Sequence, residues 1–160
     1  MTSDHRRTKV PEDAYVWIWL PDATEPVVAG RITRDRKRLI FNDGQSYLER
    51  TNRIPIYEPE LPVCRGAILP QAGLDLAGFL RDAAPDAWGR RVILNRIFGR
   101  RGKDIDPAEL DELTYLLKSG SDRIGALDFQ NSAYELVPRT TQAAMPEDWL
   151  FPPKRWKKQP

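Results

Sequence analysis

LRDAAPDAWGRR, residues 80–91, and LLKSGSDRIGALDF, residues 116–129, decide how this chain folds. Pro85 lacks an amide donor, and its ring clashes with the preceding turn of a helix. It therefore ends one short apolar helical stripe (Leu74, Leu76, Ala77, Phe79, Leu80) and introduces a second helix, from about Asp86 to Phe98. Asp86 is placed to cap that helix and Gly99 to close it. The spacing of Trp88, Val92, Ile93 and Ile97 puts all four on its inward face. A third helix is predicted between Asp106 and Gly120. Asp106 caps it, Pro107 opens it, Glu109 reaches back as in a capping box, and Leu110, Leu113, Leu116 and Leu117 form its core stripe.

Upstream of these helices the pattern is that of strands. YVWIWL (Tyr15–Leu20) is apolar on both faces and rich in aromatic and β-branched residues, as suits a strand covered on both sides. PVVAGRIT (26–33) and KRLIFN (37–42) read as two more strands joined by a charged hairpin tip. Asp43-Gly44 signals a turn, and SYLER after it is either a short strand or a turn into a helix. Pro55, Pro59, Pro62 and Pro70 impose extended backbone poor in ladder bonds, fitting an edge strand or a wrapping arm. Beyond the helices, 126–129 and 133–137 read as a final strand pair. The expected fold class is α+β: an antiparallel sheet or partly open barrel packed with about three helices and finished by a closing β-hairpin. Residues 1–13 are expected to be a flexible lead-in, 14–138 a single domain, and 139–160 an irregular, basic, proline-rich tail.

The totals narrow the function classes. The 160 residues, 41% hydrophobic and 30% charged, fit an ordinary globular domain. A net charge of +2 is too small to name a nucleic-acid partner by itself. The single cysteine, Cys64, excludes an internal disulfide framework and agrees with a reducing compartment. Residues 1–9 lack the apolar run of a signal peptide, and no window is long and apolar enough to span a membrane. The expected location is the cytoplasm of a bacterium.

Catalytic patterns are missing. His5 is the only histidine and lies in the lead-in, so no nucleophile–histidine pair stands on a rigid frame. Gly120 and Gly125 have the spacing of a phosphate-binding loop, but Ala126 and Leu127 follow where Lys and Ser/Thr are required. Asp104 with Asp106, and Asp111 with Glu112, suit helix N-termini better than a metal, so no metal and no cofactor is expected. Two basic clusters occur: Arg31, Arg34, Arg36, Lys37 and Arg38 on the hairpin, and Arg90, Arg91, Arg96, Arg100, Arg101 and Lys103 along and after the second helix. They leave open a small basic nucleic-acid-binding domain, although no known nucleic-acid-binding motif accompanies them.

Trp88 admits two readings from residues alone. It plugs the core with the neighbouring arginines solvated, or it presents an indole flanked by guanidiniums, the composition of an interface hot spot.

In their order and setting, the two opening stretches resemble the N-terminal regulatory portion of HipA-family serine/threonine kinases, the toxin halves of bacterial toxin–antitoxin pairs. The resemblance runs from Tyr15 to about Pro138. Such proteins usually show Leu-Pro-Asp-Gly-Trp-Gly at the first stretch. Ala84 and Ala87 replace the Leu and second-last Gly here, while Pro85, Asp86, Trp88 and Gly89 remain. Relatives often carry Gly-Arg-Asp where this chain has Gly120-Ser121-Asp122, so one charge is missing. In HipA-type kinases the catalytic lobe lies further on, and the resemblance implies a stand-alone or truncated front subdomain with no catalytic residues of its own. Some members of the family are split, with this subdomain made as a separate protein that restrains the kinase. The implied function is a non-catalytic interaction module. It docks on a HipA-like kinase core or its helix-turn-helix antitoxin, and meets nucleic acid only through that antitoxin. Pro85, Asp86, Trp88, Arg90, Arg91, Asp122 and Arg123 are the expected partner interface. The alternative is a truncated remnant of a HipA-family kinase gene, motivated by the ending WLFPPKRWKKQP.

Overall fold

A computed structural model describes residues 9–99, 104–121 and 125–138. Among them, five strands form one sheet in the order β4-β3-β2-β1-β5, with every neighbouring pair antiparallel. Strands β1 (Asp13–Ile18), β2 (Val27–Asp35) and β3 (Arg38–Asp43) form a meander. The β2–β3 connection is tighter than expected: Asp35 pairs with Arg38, and Arg36 takes a left-handed φ of 55°. The proline-rich arm contributes the two-residue edge strand β4 (Ala67–Ile68) on β3. It also lays Leu61 into the core, and the Tyr47 hydroxyl, donating to the Ile54 carbonyl at 2.8 Å, anchors it. SYLER takes the helical option, as α1 (Gln45–Leu48).

The last strand, β5 (Leu127–Gln130), does not form a hairpin with 133–137. It pairs with β1, and 133–137 is irregular. The expected closing hairpin is thus replaced by pairing of the first and last strands. Leu127 and Phe129 are buried opposite Ile18 and Val16, a reward that an isolated hairpin cannot offer. The sheet is open, since β4 and β5 are separate edges, so the barrel alternative falls and the α+β class holds.

One face of the sheet carries Ala14, Val16, Ile18, Ile32, Phe41 and Phe129 into the core. Alternation along a strand places residues i and i+2 on the same side, which is why these positions recur in steps of two. Opposite Val16 and Trp17 the pairing skips Ala29, a β-bulge in β2, so Val16 faces Gly30 and Trp17 faces Val28. Gly30 leaves space for Phe41, because a Cβ there would lie 2.5 Å from its ring and 2.2 Å from the Asn42 carbonyl oxygen. Helix α4 (Glu112–Lys118) packs on β1 and β5 with Leu113, Leu116 and Leu117. Helix α3 (Ala87–Phe98) packs on α4 as a further layer, burying Val92, Ile93 and Leu94. Helix α2 (Gly78–Asp82) contributes Leu80.

The single helix expected from Asp106 to Gly120 is two elements. Asp106 caps a 3-10 turn, Pro107–Glu109, and the chain then returns to extended backbone at Leu110. Asp111 caps α4 afresh, its carboxylate accepting from the Thr114 amide at 3.0 Å and from the Thr114 hydroxyl at 3.2 Å. Two good caps five residues apart compete for one helix start, and the nearer one wins. No helix among the described residues is long and apolar enough to cross a membrane.

Candidate functional site

The turn from Pro85 to Gly89 is built by local chemistry. Helix α2 ends at Asp82, and Pro85 prevents its continuation. Asp86 adopts extended backbone (φ −65°, ψ 180°) and its side chain accepts from the Gly89 amide at 2.8 Å, capping α3. Gly89 is needed for the chain to fold this closely, because a Cβ would come within 2.8 Å of the Pro85 Cβ.

Arg90 then locks the turn to the rest of the domain. Its Nε donates to the Pro85 carbonyl at 3.1 Å, and Nη1 and Nη2 donate to the two carboxylate oxygens of Glu112 at 2.9 and 2.8 Å. The guanidinium also lies over the Tyr115 ring, 4.5 Å from its centroid. A fork matched to a carboxylate and stacked on an aromatic face suits arginine far better than lysine. The Glu112 hydrogen bond raises the Arg90 pKa above its ordinary value, against the opposing pull of desolvation. Burial pushes the Tyr115 hydroxyl up, while the positive charge of Arg90 pulls it down. That hydroxyl donates to the Pro107 carbonyl at 2.6 Å, and Arg91 Nη1 donates to the Ile105 carbonyl at 2.9 Å. One end of α3 is therefore tied to α4, to the 3-10 turn and to the connector before it.

These contacts show where each residue of the expected interface sits. Trp88 is not on the inward face: it stands 52% exposed at the first turn of α3, and its expected place in the core is corrected. In the first turn of α3 it is Arg90, not the indole, that meets α4, and spacing alone cannot reveal that. Arg90 and Arg91 are half-buried braces, which overturns the reading of both as solvated. Pro85 and Asp86 shape the turn. Asp122 and Arg123 lie outside the described residues, as do Arg100, Arg101 and Lys103. On the hairpin, Arg31 pairs with Asp13 and Arg34 with Asp111 (3.0 Å), leaving Arg36, Lys37 and Arg38 exposed at the tip. Glu112 and Tyr115, which hold the site together, have no sequence signal. Glu112 is 22 residues from Arg90, and only the tertiary fold joins them.

A family model described as the HipA N-terminal domain matches residues 18–130. The chain belongs to that family, which places it among HipA-related toxin–antitoxin modules. The match begins at the end of β1 and spans β2, β3, the Pro85–Gly89 turn, both packed helices and β5. Neither a curated protein nor a solved structure matches the chain.

Proposed function

We propose that this chain is a non-catalytic regulatory module of a HipA-type toxin–antitoxin system, docking on a HipA-like kinase core. The observation that carries the reading is Trp88: a large indole half out of the protein, on a turn held by a proline, an aspartate cap and a bidentate arginine. A rigid, solvent-facing aromatic loses little entropy when a partner covers it, which is how a few residues come to dominate an interface. Family membership supports the choice of a kinase partner over an unrelated one. The antitoxin is the other partner the family offers, and the same experiment distinguishes them. In this mechanism Trp88 inserts at the partner's active-site region and favours an inactive conformation through its differential affinity for that state.

The test mixes the purified chain with the kinase core and, separately, with the antitoxin, reading complex formation and phosphorylation rate. A stable complex with the core and a fall in rate are expected. Trp88→Ala should weaken that complex by about 2 kcal/mol, roughly 30-fold, without unfolding the chain. Absence of binding and an unchanged rate with the core would refute the proposal.

A further inference from the structure

A second surface shares no residue with the Trp88 turn. Tyr57 on the proline-rich arm and Phe79 on α2 stack, their ring centroids 5.1 Å apart and their planes 13° from parallel. The pair stands at the surface, 44% and 38% exposed. Acids flank it. The Glu60 carboxylate accepts from the Phe79 amide at 2.8 Å, and Asp82, one turn on, shares that side of α2, because Leu80 takes the inward one. Glu58 and Asp82 are exposed, and neither forms an ion pair among the described residues. The β2–β3 tip offers the opposite charge. Arg36, Lys37 and Arg38 are exposed there, and among the described residues none pairs with an acid of its own chain. The left-handed φ of 55° at Arg36 costs a residue with a Cβ some stability, so a charge is kept where glycine would fit better. Tip and aromatic pair lie on neighbouring parts of the surface. Leu39, next after the tip, donates its amide to the Asp75 carbonyl at 2.7 Å, and Asp75 is four residues before Phe79.

We propose that a second copy of this chain covers this surface, in a two-fold dimer where the cationic tip of each copy seats against the Tyr57–Phe79 pair and the acids of the other. An isologous interface needs a self-complementary patch, in which residue i of one copy meets residue j of the other and the reverse. A cationic tip beside an acidic, aromatic face meets that need, whereas a patch of one sign would repel its copy. Guanidinium groups also stack on aromatic rings, so the rings and the carboxylates favour the same occupant. Pairing of Asp35 with Arg38 holds the tip stiff, and a stiff element loses little entropy on docking. The net charge of +2 is small, so overall repulsion between copies is weak.

Analytical ultracentrifugation of the full chain, from micromolar to millimolar concentration, tests this. A reversible monomer–dimer equilibrium is expected, weakened at least about tenfold between about 0.05 M and about 0.5 M salt. Lys37→Glu and Glu58→Lys, both at exposed positions, should each weaken self-association at least about tenfold without changing Tm. A two-fold contact is made twice, so each reversal acts twice. Mixing the two variants should restore association, because each tip then meets a face of opposite sign. Arg36→Gly should weaken association while leaving Tm unchanged or higher, since it removes the Cβ from the left-handed position. A chain that stays monomeric at millimolar concentration in low salt, reversals that leave association unchanged, a mixture that does not recover it, or masses that grow beyond the dimer would each overturn the proposal. Binding of a duplex oligonucleotide by the same three cations, tighter than that of a second copy, would overturn it too.

Discussion

Removing one end of the Arg90–Glu112 fork tests how the Trp88 turn is held. Both side chains are mostly covered, 22% and 31% exposed, and their two bonds are 2.9 and 2.8 Å long. A fully exposed pair contributes about 0–1 kcal/mol, whereas hydrogen bonds to charged groups contribute about 1.5–3 kcal/mol each when well shielded. Partial exposure places this pair between those limits. Glu112→Gln, which replaces one acceptor by a donor facing the guanidinium, should cost about 1.5 kcal/mol and lower Tm by roughly 5 °C. Arg90 would keep its bond to the Pro85 carbonyl and its seat over Tyr115, so the loss should fall short of unfolding. A double-mutant cycle with Arg90→Leu and Glu112→Leu isolates the pair and should return a coupling of about 1–2 kcal/mol, shrinking in high salt. Hydrogen exchange at the Gly89 amide, bonded to Asp86, should quicken in Glu112→Gln as the turn loosens. A coupling below about 0.3 kcal/mol, with unchanged Gly89 protection, would refute the idea that the fork braces the turn.

Other outcomes are equally specific. Trp88→Ala should change stability by no more than about 0.5 kcal/mol, measured by urea unfolding, because the indole is half exposed. Gly30→Ala should destabilise by about 3 kcal/mol or more in the same assay, since its methyl would meet both Phe41 and the Asn42 carbonyl. Trp17→Phe should cost about 1 kcal/mol and speed proteolysis near Ser132 by removing the indole donor. Burial raises the Asp43 pKa in the folded state, so its favourable contribution is full at low pH and is lost as pH rises through the carboxylate range; Asp43→Asn should flatten that part of the pH–stability curve.

The strands and most of the caps were legible because their signals are local. The aromatic and β-branched run YVWIWL, the Asp43-Gly44 turn and the prolines of the arm each act within a few residues, and Asp86 and Gly99 cap α3 where expected. The misreadings arose where two local signals compete or where distance decides. Asp106 and Asp111 are both sound caps, and only packing of Leu113 and Leu116 against the sheet chooses between one helix and two. The stripe that buries Val92 and Ile93 predicts burial of Trp88 equally well, yet in that turn Arg90 rather than the indole meets α4. The candidate site was half visible. Pro85, Asp86 and Gly89 announce a turn, but Glu112 and Tyr115 bind it through contacts that no spacing encodes.

Pairing of the first strand with the last carries a cost during synthesis. Val16 and Ile18 have left the ribosome long before Leu127 and Phe129 emerge, so β1 must wait with one flank bare for more than a hundred residues of translation. Until then its unpaired amides and carbonyls form a template that another nascent copy could join. Slowing elongation ahead of residue 127 should therefore shift newly made protein toward insoluble material, and supplying β5 early, by circular permutation, should relieve it.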